Sequence, residues 1–116
     1  MSQSPLSLGL REAEPGITII DVHGDVTPPA EDALMGAYGQ VNGANAVVLN
    51  FTGLDYMNSG GIGLLVTMLV RAQRQKQRLL AYGLSDHYRQ IFELTRLDDA
   101  IAIHDDERAA LRAAAA

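Results

Sequence analysis

Between Ala46 and Arg71 the sequence runs from an apolar, β-branched segment through a polar elbow into an amphipathic helical pattern, so that a strand leads directly into a helix. Val47, Val48, Leu49 and Phe51 carry the strand bias. The Val-Val-Leu run is apolar at consecutive positions, as in a strand covered on both faces, and predicts that Ala46 to Phe51 is central in its sheet. Ile62, Leu65, Val66 and Leu69 recur at helical spacing and predict the buried stripe of the following helix. The elbow reads Asp55-Tyr56-Met57-Asn58-Ser59-Gly60-Gly61 and puts Ser59 at the helix start. A hydroxyl there either caps free backbone N–H groups or stands exposed to a kinase. A phosphate on it would meet the positive end of the helix dipole.

The flanking sequence repeats the alternation of strand and helix. Leu6, Leu8 and Leu10 alternate with polar or small residues, Glu14-Pro15-Gly16 turns the chain, and Ile17 to Val22 returns it, which predicts a hairpin. Gly24 is expected to end that strand, and Pro28 and Pro29 to delay the next helix, whose apolar positions Leu34, Ala37, Tyr38 and Val41 fall within Ala30 to Val41. Asn42-Gly43 is the predicted break before the central strand. Later, Leu79 to Leu84 reads as a strand and Asp86 to Leu94 as a helix, with Ser85 as N-cap and Tyr88, Ile91, Phe92 and Leu94 on its buried side. Ala100 to Ile103 is a short strand, and Asp105 onward is a helix with an acidic first turn. The order β-β-α-β-α-β-α-β-α predicts an α/β fold. Its sheet is mixed, an N-terminal hairpin followed by parallel strands joined through crossover helices, within one domain spanning residues 1–116.

Composition removes several function classes. The chain has no cysteine, which excludes disulfides, thiolate metal sites and cysteine nucleophiles and agrees with a reducing cytosol. A net charge of −5 argues against nucleic-acid binding, which draws on clustered Lys and Arg. The basic residues gather once, at Arg71, Arg74, Lys76 and Arg78, read as the end of the central helix, where cations oppose the dipole. The apolar run from Gly61 to Val70 is half of the roughly 20 residues a membrane helix needs, and no signal-peptide pattern opens the chain. A cytoplasmic protein without direct membrane insertion is expected.

Short motifs of catalysis are incomplete. The glycines near Ser59 lack the Gly-Lys-Ser/Thr ending of a phosphate loop, and Val66 stands where a dinucleotide fingerprint needs its third glycine. A hydrolase elbow is half matched, because Gly61 follows Ser59 at the right spacing while Met57 replaces the first glycine; a triad would also need a histidine, and His87 or His104 follows Asp55 in the chain. His23, His87 and His104 are too widely spaced to form a metal-ligand motif. Asp98-Asp99 and Asp105-Asp106-Glu107 fall at a turn and a helix start, where carboxylates cap backbone donors. No catalytic residue, metal or cofactor is assigned.

The elbow and a later segment together resemble the STAS domain family, which includes bacterial anti-sigma factor antagonists and the cytoplasmic tails of sulphate transporters. In that family an aliphatic strand leads into an Asp- or Asn-Ser-(Ser/Thr/Ala)-Gly-(Leu/Ile)-Gly loop, matched here by Asn58, Ser59, Gly60, Gly61, Ile62 and Gly63. Leu84-Ser85, Ile91-Phe92 and Leu94-Thr95-Arg96-Leu97 are similar to its later signature, and the likeness covers nearly the whole chain. Asn58 stands where antagonists often carry aspartate, Gly60 replaces the usual small residue, and Gly24-Asp25-Val26-Thr27 places Thr27 at the acidic position of an early Gly-x-Leu-Asp segment.

The resemblance implies a regulatory binding protein and not an enzyme: an anti-sigma factor antagonist that binds an anti-sigma factor or serine/threonine kinase and is switched by phosphorylation of Ser59. Its implied contact surface comprises Gly24, Asp25 and Thr27 together with Asp55, Tyr56, Met57, Asn58, Ser59, Gly60, Gly61, Ile62 and Gly63. A non-switching scaffold of a stressosome, or the soluble subunit of a lipid or anion transporter, is the alternative within the family. A small serine hydrolase is the alternative outside it.

Overall fold

The longest strand organises the molecule. The computed structural model describes residues 4–41 and 43–116. In it β3 (Ala46–Met57) lies in the middle of a five-stranded sheet of order β1-β2-β3-β4-β5. Strand β1 (Ser7–Glu14) pairs antiparallel with β2 (Ile17–Val26), while β2, β3, β4 (Arg78–Tyr82) and β5 (Ile101–His104) run parallel. The helices are α1 (Glu31–Gly39), α2 (Ser59–Arg74), α3 (Asp86–Leu94) and α4 (Glu107–Ala115). The central place of β3 and the edge position of the hairpin agree with the sequence reading. Asn42 of the predicted Asn42-Gly43 break lies outside the described residues. Among these residues no helix is long and apolar enough to cross a membrane.

Side-chain alternation along β3 supplies both cores. Val47, Leu49 and Phe51 face Leu34 and Tyr38 of α1, Leu64, Leu65 and Met68 of α2, and Phe92 of α3. The Phe51 and Phe92 rings meet edge to face, 6.4 Å between centroids. Ala46 and Val48 point the other way, joining Ile17, Ile19, Leu80 and Tyr82 beneath Ala110 and Ala114 of α4. One face thus carries three helices and the other a single helix of small residues.

Several boundaries and faces differ from the sequence reading. Gly24 does not end β2. It lies within the strand at φ +98°, where a register shift follows and where a Cβ would stand 2.3 Å from the Pro5 carbonyl oxygen. Strand β3 continues six residues beyond Phe51, so part of the predicted elbow is strand. The buried stripe of α2 is Gly61, Leu64, Leu65, Met68 and Ala72, whereas Val66 is 42% exposed and Ile62 and Leu69 are half-buried. Helix α2 is apolar on more than one side, so spacing alone permits neighbouring stripes; tertiary contact at Gly61 selects one of them. Leu94 is 81% exposed because the chain turns at Arg96 (φ +62°) and Leu97 occupies the buried place instead. Arg78, grouped by sequence with the helix end, begins β4. Ser85 precedes α3 as predicted, but its side chain makes no capping bond.

Polar contacts hold α4 at both ends. Arg11 of β1 donates to both oxygens of Asp21, from Nε at 2.7 Å and Nη2 at 2.8 Å, and Nη2 also donates to Glu107 at 2.9 Å. The Tyr82 hydroxyl donates to the same Glu107 oxygen at 2.8 Å, and Asn50 Nδ2 donates to Asp21 at 2.7 Å. At the other end the Arg78 guanidinium donates to the carbonyls of Ala113 and Ala114, satisfying acceptors that a helix terminus leaves open. Hydrogen bonding to Arg11 holds the Asp21 and Glu107 carboxyls below their ordinary values of 3.8 and 4.5, while burial and the bond to Glu107 push Tyr82 up to about 12.

Two predictions follow from this packing. Leu65→Ala should cost about 2–5 kcal/mol in denaturant unfolding, and Val66→Ala should stay within about 0.5 kcal/mol because 42% of its surface is already exposed. The carboxyl values are depressed on folding, so their stabilising effect is full above the unfolded values and is lost as pH falls below them. Arg11→Ala should therefore lower stability at neutral pH and converge with wild type in acid, by a margin that salt reduces because the pair is solvent-screened. Parallel stability curves from neutral to acidic pH would show that the Arg11 contacts contribute nothing.

Candidate functional site

The end of β3 and the start of α2 form the site, and the cap of α2 decides what its serine is free to do. Asn58 is the N-cap: its backbone is extended (φ −105°, ψ −177°), its Oδ1 accepts from the Gly61 N–H at 2.9 Å, and its carbonyl accepts from the Ile62 N–H at 2.9 Å. Ser59 is therefore the first helical residue. Its side chain is exposed and has no hydrogen-bond partner among the described residues. The first turn of α2 carries no acid and its last turn carries Arg71 and Arg74, so the positive end of the dipole is left without a counter-charge. The N-cap role entertained for Ser59 belongs to Asn58 instead. Both residue types are good caps, and sequence alone does not choose between adjacent ones.

Close packing places this turn. A Cβ on Gly61 would lie 1.9 Å from the Val26 carbonyl oxygen, and one on Gly60 would lie 2.4 Å from Pro28 Cγ. The start of α2 therefore rests against the end of β2 and the turn after it, bringing together the two segments that the sequence analysis assigned to one surface. From the other side, the Tyr88 hydroxyl of α3 accepts the Met57 N–H at 2.9 Å. Strand β3 pairs with β2 as far as Met57 but with β4 only as far as Asn50, and Tyr88 supplies an acceptor along the edge that β4 leaves bare. No local pattern in the sequence signals this role, because it depends on a residue 31 positions away.

The predicted contact residues divide by depth. Asp55, Tyr56, Ser59 and Gly63 are exposed, with Tyr56 at 50%, while Asp25, Thr27, Asn58, Gly60 and Ile62 are half-buried. Gly24, Met57 and Gly61 are buried, so they shape the surface from beneath and do not form it. Asp25 is engaged with the N-terminal segment, accepting from Ser4 N at 3.2 Å on its side chain and donating its own N–H to Ser4 O at 3.0 Å. The Thr27 carbonyl accepts from Ala30 N at 2.8 Å at the start of a short 3-10 turn, Pro28–Ala30. Val66 and Val70, 42% and 41% exposed on the same helix as Ser59, were not assigned to the surface by sequence; the mistaken buried stripe concealed the first of them.

Among the described residues no side chain is hydrogen-bonded to the Ser59 hydroxyl. His87 lies edge-on to Tyr88 at 5.0 Å, His104 has a buried Nε2 without a partner, and neither is hydrogen-bonded to Ser59. Among the described residues no group of three or more His, Asp or Glu is placed to hold a metal ion.

Comparison with known proteins agrees with the fold. The family model described as "Mlab, STAS domain" matches residues 10–105. The anti-sigma-B factor antagonist of Listeria monocytogenes is 29% identical over 105 residues, covering 88% of this chain and 91% of the relative. The structure of an anti-sigma factor antagonist from Mycobacterium paratuberculosis superposes with a TM-score of 0.83 at 18% identity, covering 97% of this chain and 96% of that one. The Bacillus cell fate determinant SpoIIAA in its phosphorylated form gives 0.66 at 19% identity, with 92% and 99% covered. The chain belongs to the STAS domain family; its relatives include anti-sigma factor antagonists, and a sulfate transporter family protein from Wolinella succinogenes shares the fold with a TM-score of 0.78 at 17% identity, covering 90% of this chain and 89% of that one.

Two glycines of the site should respond in opposite ways. Gly61→Ala should destabilise the fold by several kcal/mol or prevent folding, because backbone stands where the methyl group would go. Gly63→Ala has open space around its Cβ and should raise stability by up to about 1 kcal/mol through helix propensity. Thermal melts of both variants decide whether the loop motif is glycine-rich for one reason or two.

Proposed function

We propose that this chain is a phosphorylation-controlled anti-sigma factor antagonist acting in the cytoplasm, with Ser59 as phospho-acceptor and an anti-sigma factor or serine/threonine kinase as partner. One observation carries the reading: Asn58 caps α2, leaving the adjacent Ser59 hydroxyl exposed and uncommitted at the positive end of a 16-residue helix. A serine needed only for capping would be bonded to a backbone N–H. The similarity to antagonists, one of them a structure in a phosphorylated form, supports the assignment. The contact surface centres on the exposed residues Asp55, Tyr56, Ser59 and Gly63, flanked by Thr27, Asn58, Gly60 and Ile62.

The switch works by charge. Phosphate adds about −1.5 to −2 charges where the free N–H groups and dipole of α2 stabilise an anion by about 0.3–1 kcal/mol. The fold therefore tolerates it. A partner surface packed on a neutral hydroxyl has to desolvate the dianion or set its own acids beside it, and dissociates. The chemistry of phosphoryl transfer belongs to the kinase, so the antagonist itself needs no cofactor.

Titrating the partner against wild type, Ser59→Ala, Ser59→Asp and phosphorylated protein tests this, with a melting curve for each form. Affinity should fall for the charged forms by tenfold or more, about 1.4 kcal/mol, while melting temperatures stay together. Equal affinity for all forms sinks the switch and supports a constitutive scaffold.

A further inference from the structure

Helix α2 carries a second feature that the hydroxyl at its head does not use. Successive residues turn by about 100°, so Ser59, Gly63, Val66, Val70 and Arg74 align along its outward side. Val66 and Val70 are exposed and lie one turn apart, next to half-buried Ile62 and Leu69. Gly63 meets nothing within 4 Å of its Cβ position, so no packing requires a glycine there; it flattens the strip between the serine and the valines.

Positive charge gathers at the end of the same helix and in the residues just after it. From Tyr56 to Ser85 the sequence contains no Asp or Glu, and it carries Arg71, Arg74, Lys76 and Arg78 in a chain of net charge −5. Arg78 is engaged with the α4 carbonyls. Arg71, Arg74 and Lys76 are exposed, and none makes an ion pair or side-chain hydrogen bond among the described residues, whereas Arg11, Arg89 and Arg96 each face a carboxylate. Opposing the helix dipole accounts for Arg71 and Arg74 in the last turn but not for Lys76 beyond it or for the absence of acids over the whole segment.

We propose that the outward strip of α2 docks an amphipathic helix of a partner protein, one that sets aliphatic side chains on Val66 and Val70 and carboxylates against Arg71, Arg74 and Lys76. The strip is about 22 Å long, which matches some four turns of an incoming helix. A protein is favoured over an anionic membrane because the exposed apolar residues of the strip are two valines and no Trp, Phe or Leu, a poor anchor for a bilayer interface. The proposal rests on the switch reading for one feature only, the repulsion of an acidic partner by phosphate at Ser59.

The test is an NMR titration of the isotopically labelled protein with a synthetic helical peptide of about 16 residues, leucines on one face and glutamates on the other. A peptide with lysine in place of glutamate and phosphatidylglycerol vesicles form the other arms. Amide shifts should concentrate between Ile62 and Lys76, affinity should fall with salt, and the combined variant Arg71→Glu, Arg74→Glu, Lys76→Glu should lose about tenfold or more while melting as wild type does. Shifts elsewhere, equal binding of the lysine peptide, an unaffected charge-reversal variant, or stronger engagement of vesicles by the same residues would each overturn the proposal. Peptide binding to the strip that Ser59→Asp leaves unchanged upholds the docking face and defeats the switch. Absence of peptide binding to the unphosphorylated protein, in a chain that still releases its partner when Ser59 is charged, defeats the docking face alone.

Discussion

The approach of Gly61 to the Val26 carbonyl is the contact on which the rest of the site depends. With 1.9 Å between that oxygen and the place of a Cβ, no other residue lets the first turn of α2 lie against the end of β2. The contact fixes the rotation of the helix about its axis. Once Gly61 faces the sheet, Leu64, Leu65, Met68 and Ala72 follow it inward at helical spacing, and Ser59, Gly63, Val66 and Val70 face away. Burial of one stripe and exposure of another are consequences of a single steric demand at the head of the helix.

Sheet geometry explains why the head of this helix stands clear of the shared part of the sheet. Strand β3 outruns β4 and carries the chain beyond the shared part of the sheet before it turns into α2. The overhang would leave main-chain donors unsatisfied on one side. Tyr88 takes the Met57 N–H, and the Asn50 side chain takes the Thr52 N–H at 3.0 Å. Supported in this way from α3 and from within the strand, the turn is a projecting but held surface. Polar clasps on α4 act on the opposite face of the sheet and leave this region untouched.

Much of this was legible in the sequence, and what was not has a common cause. The order of elements, the central place of β3, the edge hairpin and the placing of a serine at a helix start all follow from local patterns, because alternation, turn residues and cap residues act over a few positions. The failures involve contacts between segments distant in sequence. Gly24 reads as a strand terminator, yet it admits the Pro5 backbone and the strand goes on. Leu94 fits the periodicity of α3, yet Leu97 fills the core after the turn at Arg96. In α2 the apolar residues cover too much of the circumference for spacing to choose a face, and the deciding contact, Gly61 on Val26, joins positions 35 apart.

Asn58 shows how an asparagine in place of the aspartate that antagonists often carry fits the same physics. Asparagine accepts the Gly61 N–H as an aspartate would, so the cap of α2 is kept. What is lost is a negative charge beside Ser59. An aspartate would gain a little from the helix dipole, and it would also repel a phosphate on the next residue at short range. With a neutral cap and no acid in the first turn, the donors and dipole of α2 stabilise the phosphate without that opposition, Asp55 being the nearest carboxylate in sequence. The substitution therefore leaves the unphosphorylated helix capped while reducing the local penalty for the charged state. In the proposed switch the free energy of switching would then fall on the partner, whose acids would meet the dianion at one end of a strip whose other end attracts them.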